Sequence, residues 1–123
     1  MQGVWGNVWF WEGNFMPIDP TGTITPVQRK VYAYELTKDT QVEPTDSGPF
    51  FRVIHTRCID STRSNSTGFF QMALAPGRYS FFVREGSELF ADITDTDGNL
   101  LPATVGPDSV TKVQIDIDYL SYL

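Results

Sequence analysis

Three tryptophans near the start of the chain are the residues best suited to ligand recognition. Trp5, Trp9 and Trp11 occupy odd positions of the run VWGNVWFW at residues 4–11. Because side chains alternate across a β-strand, all three lie on one face if this run is a strand. Indole rings are large, flat apolar groups with one polar N–H, and sugar rings stack on such faces. The spacing therefore indicates a candidate platform for a carbohydrate or another ligand.

The same tryptophans also suit a covered position. The even positions of the run are apolar too, with Val4, Val8 and Phe10, and a strand that is apolar on both faces is usually covered on both. A tryptophan is usually mostly buried, with its N–H hydrogen-bonded. We therefore favour cover by residues 120–123, by a loop or by a second copy of the chain, and keep the ligand platform as the alternative.

One acidic cluster has the composition of a weak calcium site. Its members are Asp92, Asp95, Asp97 and Asn99. Calcium prefers such oxygen ligands, but with Gly98 at the sixth position of an EF-hand loop the first and twelfth positions fall on Ile93 and Thr104, which carry no carboxylate. Since Asp-Gly is a common turn dipeptide, we favour a polar turn over a metal site.

The sequence contains no constellation typical of catalysis. His55 and Cys58 are three residues apart on a predicted strand, so their side chains point to opposite faces and do not form a nucleophile–base pair. Cys58 is expected to be a small buried thiol. Zinc-ligand spacings, a Gly-x-Ser-x-Gly elbow and a phosphate-binding loop do not occur in the sequence. We expect a protein that is not an enzyme and that holds no cofactor.

The charge of the chain restricts its partners. The net charge is −6 at pH 7, which disfavours nucleic acid and electrostatic docking on anionic lipid. The basic residues considered for an anion site are dispersed along the sequence: Arg29, Lys30, Arg57, Arg63, Arg78 and Arg84. We expect them on solvated strand faces rather than at an anion site.

Short strands must position these residues. A length of 123 residues predicts one domain, residues 1–123. Apolar or alternating runs separated by Gly and Pro turns, without a sustained 3.6-residue period, predict an all-β sandwich or barrel of about seven strands. Residues 18–27 and 38–49 are predicted to be long loops, and their role is open.

The segment at residues 68–85 is predicted to lie at the centre of a sheet. Two apolar runs, residues 69–74 and 79–83, are joined by the sequence APGR. Pro76 sets φ for the second position of a tight turn, and Gly77 can take the positive φ that a type II turn demands at the third. The pattern predicts an antiparallel hairpin.

Several segments resemble carboxypeptidase regulatory-like domains. They are GNV at residues 6–8, Gly13 followed by Met16-Pro17, VYAY at residues 31–34, STGFF at residues 66–70 and LAPGRYSF at residues 74–81. The resemblance covers about residues 3–83. It implies a seven-stranded antiparallel Greek-key sandwich of the transthyretin (prealbumin) type.

The same resemblance implies a location and a role. Small domains with this opening resemble exported lipoproteins of Bacteroidetes-type bacteria, which are periplasmic or anchored to the outer membrane by a lipidated cysteine upstream. The implied role is non-catalytic, structural or binding, with a protein or a glycan as partner. A related enzyme that hydrolyses 5-hydroxyisourate needs several histidines and a C-terminal Tyr-Arg-Gly-Ser, whereas this chain has one histidine and ends DYLSYL. That activity is not expected.

Overall fold

The computed structural model describes residues 2–18, 20–45, 49–91 and 93–122, and in these it forms strands and no α-helix. One turn of 3-10 helix lies at Asp39–Gln41. The eleven strands are β1 (Gly3–Asn14), β2 (Thr23–Pro26), β3 (Lys30–Glu35), β4 (Val42–Pro44), β5 (Phe50–Ile54), β6 (Cys58–Arg63), β7 (Phe69–Ala73), β8 (Gly77–Glu85), β9 (Glu88–Phe90), β10 (Pro102–Val105) and β11 (Val110–Tyr122).

The first sheet is built around the long strand β1. Strand β11 runs along one edge of β1 in parallel. The other edge is shared, because β7 pairs with the first half of β1 and β2 pairs with its second half, both antiparallel. A strand of twelve residues is long enough to accept two partners in succession on one edge.

The second sheet is built around β8. Its strand order is β4-β5-β9-β8-β3-β6, and β10 pairs with the first half of β8 on the same edge as β9. Residues 79–83 of β8 are all buried. The prediction that residues 68–85 lie at the centre of a sheet is confirmed for this run, but not for β7, which pairs with β1 alone among the described strands and lies at an edge of the first sheet.

The core lies between the two sheets. Val4, Val8, Ile115 and Ile117 of the first sheet and Phe81 of the second are at most 1% exposed and belong to one buried cluster. Each fully buried phenylalanine contributes roughly 1.5–3 kcal/mol relative to an exposed one. The predicted all-β sandwich is confirmed, and strands β1 and β11 alternate between core and surface as their sequences predict.

The predicted hairpin at residues 68–85 is wrong. Strand β7 pairs with β1 in the first sheet, whereas β8 pairs with β3, β9 and β10 in the second. The connection crosses from one sheet to the other, and Gly77 has φ 156°, far from the roughly +80° of a type II turn. The Tyr79 hydroxyl donates a hydrogen bond to the Ala75 carbonyl at 2.5 Å, which ties the crossing to β8.

Strand number and direction also differ from the expected seven-stranded antiparallel sandwich. The predicted loops at residues 18–27 and 38–49 contribute the short strands β2 and β4 in their described parts. The first and last strands pair in parallel. A parallel pair needs a long connection between its strands, and here the connection is the body of the chain.

Candidate functional site

The tryptophan face is the outer face of β1, which carries Trp5, Trp9 and Trp11. Val4 and Val8 on the opposite face are 1% and 0% exposed, whereas all three tryptophans are half-buried. The predicted alternation therefore holds in the structure. One face of β1 packs against the core, and the opposite face leaves the indoles partly open to solvent.

Trp11 is held by its own chain. Its Nε1–H donates a hydrogen bond to Asp116 Oδ1 at 2.9 Å, and its ring centroid is 5.1 Å from that of Phe15. The pairing of β1 with β11 shifts between Phe10 and Glu12, where β11 advances by one residue more, from Ile117 to Leu120, so a bulge in β11 bends this end of the strand pair. Trp11 lines a cleft of about 510 Å³ together with Phe15, Asp116 and Tyr122.

Trp5 borders a second and more apolar depression. Its ring lies 6.5 Å from that of Phe69, and Lys112 Nζ is 5.3 Å from the ring centroid, a cation–π distance. The adjoining groove has a volume of about 720 Å³. Its lining includes Gln2, Trp5, Phe69, Gln71, Met72 and Val110. The Trp5 side chain is therefore oriented by two neighbours while part of it stays accessible.

Trp9 lies between the other two indoles. It is opposite Asp116 of β11 and Pro26 of β2, and among the described residues no aromatic ring pairs with it. Residues two apart on a strand are separated by roughly 6.6 Å, so the three indoles form a row rather than a stack. The half-buried Asn7 sits in this row between Trp5 and Trp9, and it is opposite Gln114 of β11.

The carboxyl-terminal segment leaves most of this row open. Leu120 is 51% exposed and Tyr122 is 58% exposed, so neither side chain forms a lid. Tyr122 contributes to the cleft beside Trp11, and Leu123 lies outside the described residues. The sequence named residues 120–123 as one segment that could cover the tryptophan face. In the structure, the described residues of this segment line only the Trp11 end of that face.

The acidic cluster forms a hydrogen-bonded turn. Asp95 Oδ1 accepts hydrogen bonds from the backbone N–H groups of Asp97 and Asn99 at 3.0 and 2.9 Å. Asp95 Oδ2 accepts one from Asn99 Nδ2 at 3.0 Å. The hydrogen bond from the Asn99 side chain, followed by that from its backbone, lowers the pKa of Asp95 below its ordinary value. These bonds direct the carboxylate into its own turn.

The weak calcium site has no further support from the geometry. Asp92 lies outside the described residues. Among the residues that the structure describes, no group of three or more His, Cys, Asp or Glu side chains could hold a metal ion.

His55 and Cys58 belong to separate environments. His55 Nε2 is 2.8 Å from Glu43 Oε2, with both side chains about half exposed. Cys58 is exposed, so its expected burial is wrong; its Sγ contacts the Asp60 carbonyl at 3.7 Å. Partial desolvation is the largest cause that raises the pKa of the Cys58 thiol. A thiol with a raised pKa is a poor nucleophile at neutral pH.

Four basic residues that the sequence disperses come together in the structure. Arg29, Lys30, Arg63 and Arg84 line one cleft of about 280 Å³ with Glu85, and we call it the basic cleft. These four residues are therefore not scattered in the fold, although Lys30, Arg63 and Arg84 are exposed on their strands as expected. Their meeting depends on which strands are neighbours, and a single sequence carries little signal for that.

Comparison of the chain with protein-family models, with curated proteins and with solved structures finds no match. The class that the fold defines is an all-β sandwich with a partly open aromatic face. No helix in the described ranges is long and apolar enough to span a membrane.

Proposed function

We propose that this chain is a non-catalytic recognition module that binds a carbohydrate through the tryptophan face. The observation that supports this most is the half-buried state of all three indoles on a face that the described residues do not close. A cluster of large apolar side chains that stays partly exposed on the protein surface usually marks an interaction site. An aromatic side chain presents a large contact area with only two rotatable bonds, which keeps the entropy cost of binding low.

The polar groups around the indoles suit a sugar. Asn7 and Gln114 offer amide donors and acceptors beside the row, and Asp116 already receives the Trp11 N–H and, at 3.1 to 3.2 Å, the Gln114 amide. A carboxylate that accepts such bonds keeps further acceptor capacity for a hydroxyl group. Flat apolar rings for the C–H faces of a sugar and fixed polar groups for its hydroxyls together form a recognition surface.

We also propose that the module belongs to the carboxypeptidase regulatory-like domains and acts at a bacterial cell envelope. The proposal rests on the segments GNV at residues 6–8 and LAPGRYSF at residues 74–81. The separation of His55 from Cys58, and the pairing of His55 with Glu43 at the surface, agree with a role without catalysis. Export and a lipid anchor follow from the resemblance alone.

A protein surface is the second candidate occupant. The groove beside Trp5 is lined mainly by apolar side chains, among them Phe69, Met72 and Val110. Such a groove also suits an apolar side chain of a second copy of this chain, in which case the tryptophan face is a homo-oligomer interface.

A fluorescence experiment separates the two candidates. Tryptophan emission with acrylamide quenching is followed while neutral polysaccharides are added. Trp9→Ala is the test variant, and Val53→Ala, at an exposed position of β5, is the control. We expect a polysaccharide to shift the emission and reduce quenching in the native protein and in the control, and not in Trp9→Ala. The opposite result would be an emission wavelength that no polysaccharide shifts, with acrylamide quenching that falls as protein concentration rises. It would overturn the carbohydrate proposal in favour of self-association.

A further inference from the structure

We propose that the basic cleft is a binding site for a single sulfate or phosphate group, either free or carried by a glycan. The cleft is independent of the tryptophan face, since its lining residues lie on β3, β6 and β8 of the second sheet and on the residues that flank them. The proposal therefore stands whether or not the tryptophan face binds sugar.

Strand pairing brings the cations together. Lys30 of β3 is directly opposite Arg63 of β6. On the other edge of β3, Val31 is opposite Val83, so Arg84 occupies the next position, beside Lys30. Directly opposite residues in a sheet have Cβ atoms roughly 4.5–5.5 Å apart. Three cationic side chains thus occupy one end of three adjacent strands.

The one carboxylate that lines the cleft, that of Glu85, already has partners within the chain. The Glu85 side chain is 7% exposed and forms an ion pair with Arg29, and it accepts a hydrogen bond from the Tyr119 hydroxyl at 2.8 Å. Within the described part of the chain, Lys30, Arg63 and Arg84 have no carboxylate at ion-pair distance. The lining carries four cations against one anion, so an excess positive charge remains.

An aromatic ring orients two of the uncompensated cations. Arg84 Nε donates a hydrogen bond to the Tyr32 hydroxyl at 3.0 Å, and its guanidinium lies 5.5 Å from the ring centroid. Lys30 Nζ lies 5.3 Å from the same centroid. The ring holds the two side chains in place without cancelling their charge, which leaves donor groups preorganised for an anion.

Like charges directly opposite in a sheet are destabilising. The arrangement is unusual here because the chain carries 15 acidic residues against 9 basic ones, so carboxylates are plentiful elsewhere. A local arrangement that costs stability without an evident compensation often belongs to a functional site. A bound oxyanion would compensate the charge, and guanidinium groups match the oxygen geometry of phosphate and sulfate.

The surroundings favour one anionic group over a polyanion. A nucleic acid is held by many phosphate contacts along a basic surface, whereas this cleft holds four cations on a protein of net charge −6. Its volume of about 280 Å³ accommodates one substituent rather than a polymer backbone.

Arg63→Gln is the principal test variant, because Arg63 is exposed and its side chain makes no hydrogen bond or ion pair among the described residues. Arg52→Gln, which removes the same charge from an exposed position of β5 in the same sheet, is the matched control. Inorganic sulfate and phosphate are titrated at low salt, and binding is followed by backbone amide NMR shifts of residues 28–32 and 84–86. We expect saturable shifts in the native protein and in the control, with an affinity about tenfold or more weaker in Arg63→Gln.

A second pair of titrations identifies the source of the anion. A neutral polysaccharide is compared with its sulfated form, with free sulfate as competitor. Preferential binding of the sulfated form through the same amides assigns the cleft to a glycan substituent, and saturation by the free anion alone assigns it to the free ion. Equal shifts in the native protein, Arg63→Gln and Arg52→Gln, or shifts that do not saturate, would show a general ionic effect and overturn the proposal.

Discussion

Strands β1 and β8 are the central strands of the two sheets, and they differ in how far their outer faces are buried. Both are apolar on both faces, yet residues 79–83 of β8 are buried throughout, whereas the outer side chains of β1 stay partly exposed. The outer face of β8 is covered within the chain: Tyr34 and Phe51 place their rings 5.3 and 6.1 Å from that of Phe82. An apolar outer face therefore becomes core only where other segments are available to cover it.

The covering segments of β8 are fastened by polar contacts. The Thr37 backbone N–H donates a hydrogen bond to Ser80 Oγ at 2.8 Å, and the Leu100 N–H donates one to the Thr37 carbonyl at 2.8 Å. Leu100 and Leu101 are themselves buried. Strand β1 has a smaller set of neighbours on its outer face, chiefly Phe69 and Phe15. This difference singles out β1 as the strand available to a partner.

Phe82→Ala should give the largest loss of stability. Phe82 is 0% exposed and is enclosed by two rings, so its removal creates a cavity that the sheet cannot close. We expect the free energy of unfolding to fall by about 3–5 kcal/mol, measured by urea denaturation. A loss below about 1 kcal/mol would contradict the view that the outer face of β8 is true core.

Gly6→Ala should disrupt the pairing of β1 with β11. A Cβ at Gly6 would lie 1.6 Å from the Val113 carbonyl oxygen, so the two strands must separate. We expect a loss of about 3 kcal/mol, at the upper end for overpacking. Gly86→Ala is the control, because a Cβ there meets no atom within 4 Å and only the positive φ of 62° is unfavourable. Equal losses in the two variants would contradict a close contact at Gly6.

Trp9→Ala should have a smaller effect on stability than Phe82→Ala, although tryptophan is the larger residue. The Trp9 side chain is only partly buried and no described ring packs against the indole, so we expect a loss of about 1 kcal/mol. The same urea titration checks it. A loss as large as that of Phe82→Ala would show that the tryptophan face is part of the core, and would remove the physical basis of a ligand platform there.

Acid should slightly destabilise the turn at Asp95, which precedes the residues Leu100 and Leu101 that cover β8. The pKa of Asp95 is lowered in the folded protein, so its contribution is present above the ordinary value of 3.8 and is lost as pH falls below it through the folded pKa. Asp95→Asn should lower the melting temperature slightly at pH 7 and lose that difference at lower pH. Asp97→Asn, whose carboxylate makes no such contact among the described residues, is the control. A difference between Asp95→Asn and native protein that persists in strong acid would contradict this role.

The sequence by itself determined the long strands β1 and β8 and the face of β1 that is buried, but not the short strands β2 and β4. The alternation of Val4 and Val8 with the tryptophans is a local pattern with a period of two, and the continuous apolar run at residues 79–83 is local as well. They follow from the geometry of the extended chain and do not depend on which strands become neighbours. The Asp-Gly turn near Asp95 is local in the same sense, because its hydrogen bonds join residues at most four positions apart.

The tertiary structure decided which strands are neighbours, and with that the sites. Strand β7 joins β1 instead of β8, and Lys30 meets Arg63 across 33 positions of sequence. Cys58 is exposed on β6, a strand that pairs with β3 alone among the described strands. Pairing and register depend on how all apolar faces pack at once, which is a property of the whole chain. No short pattern contains that information, and so the open tryptophan face and the basic cleft emerge only in three dimensions.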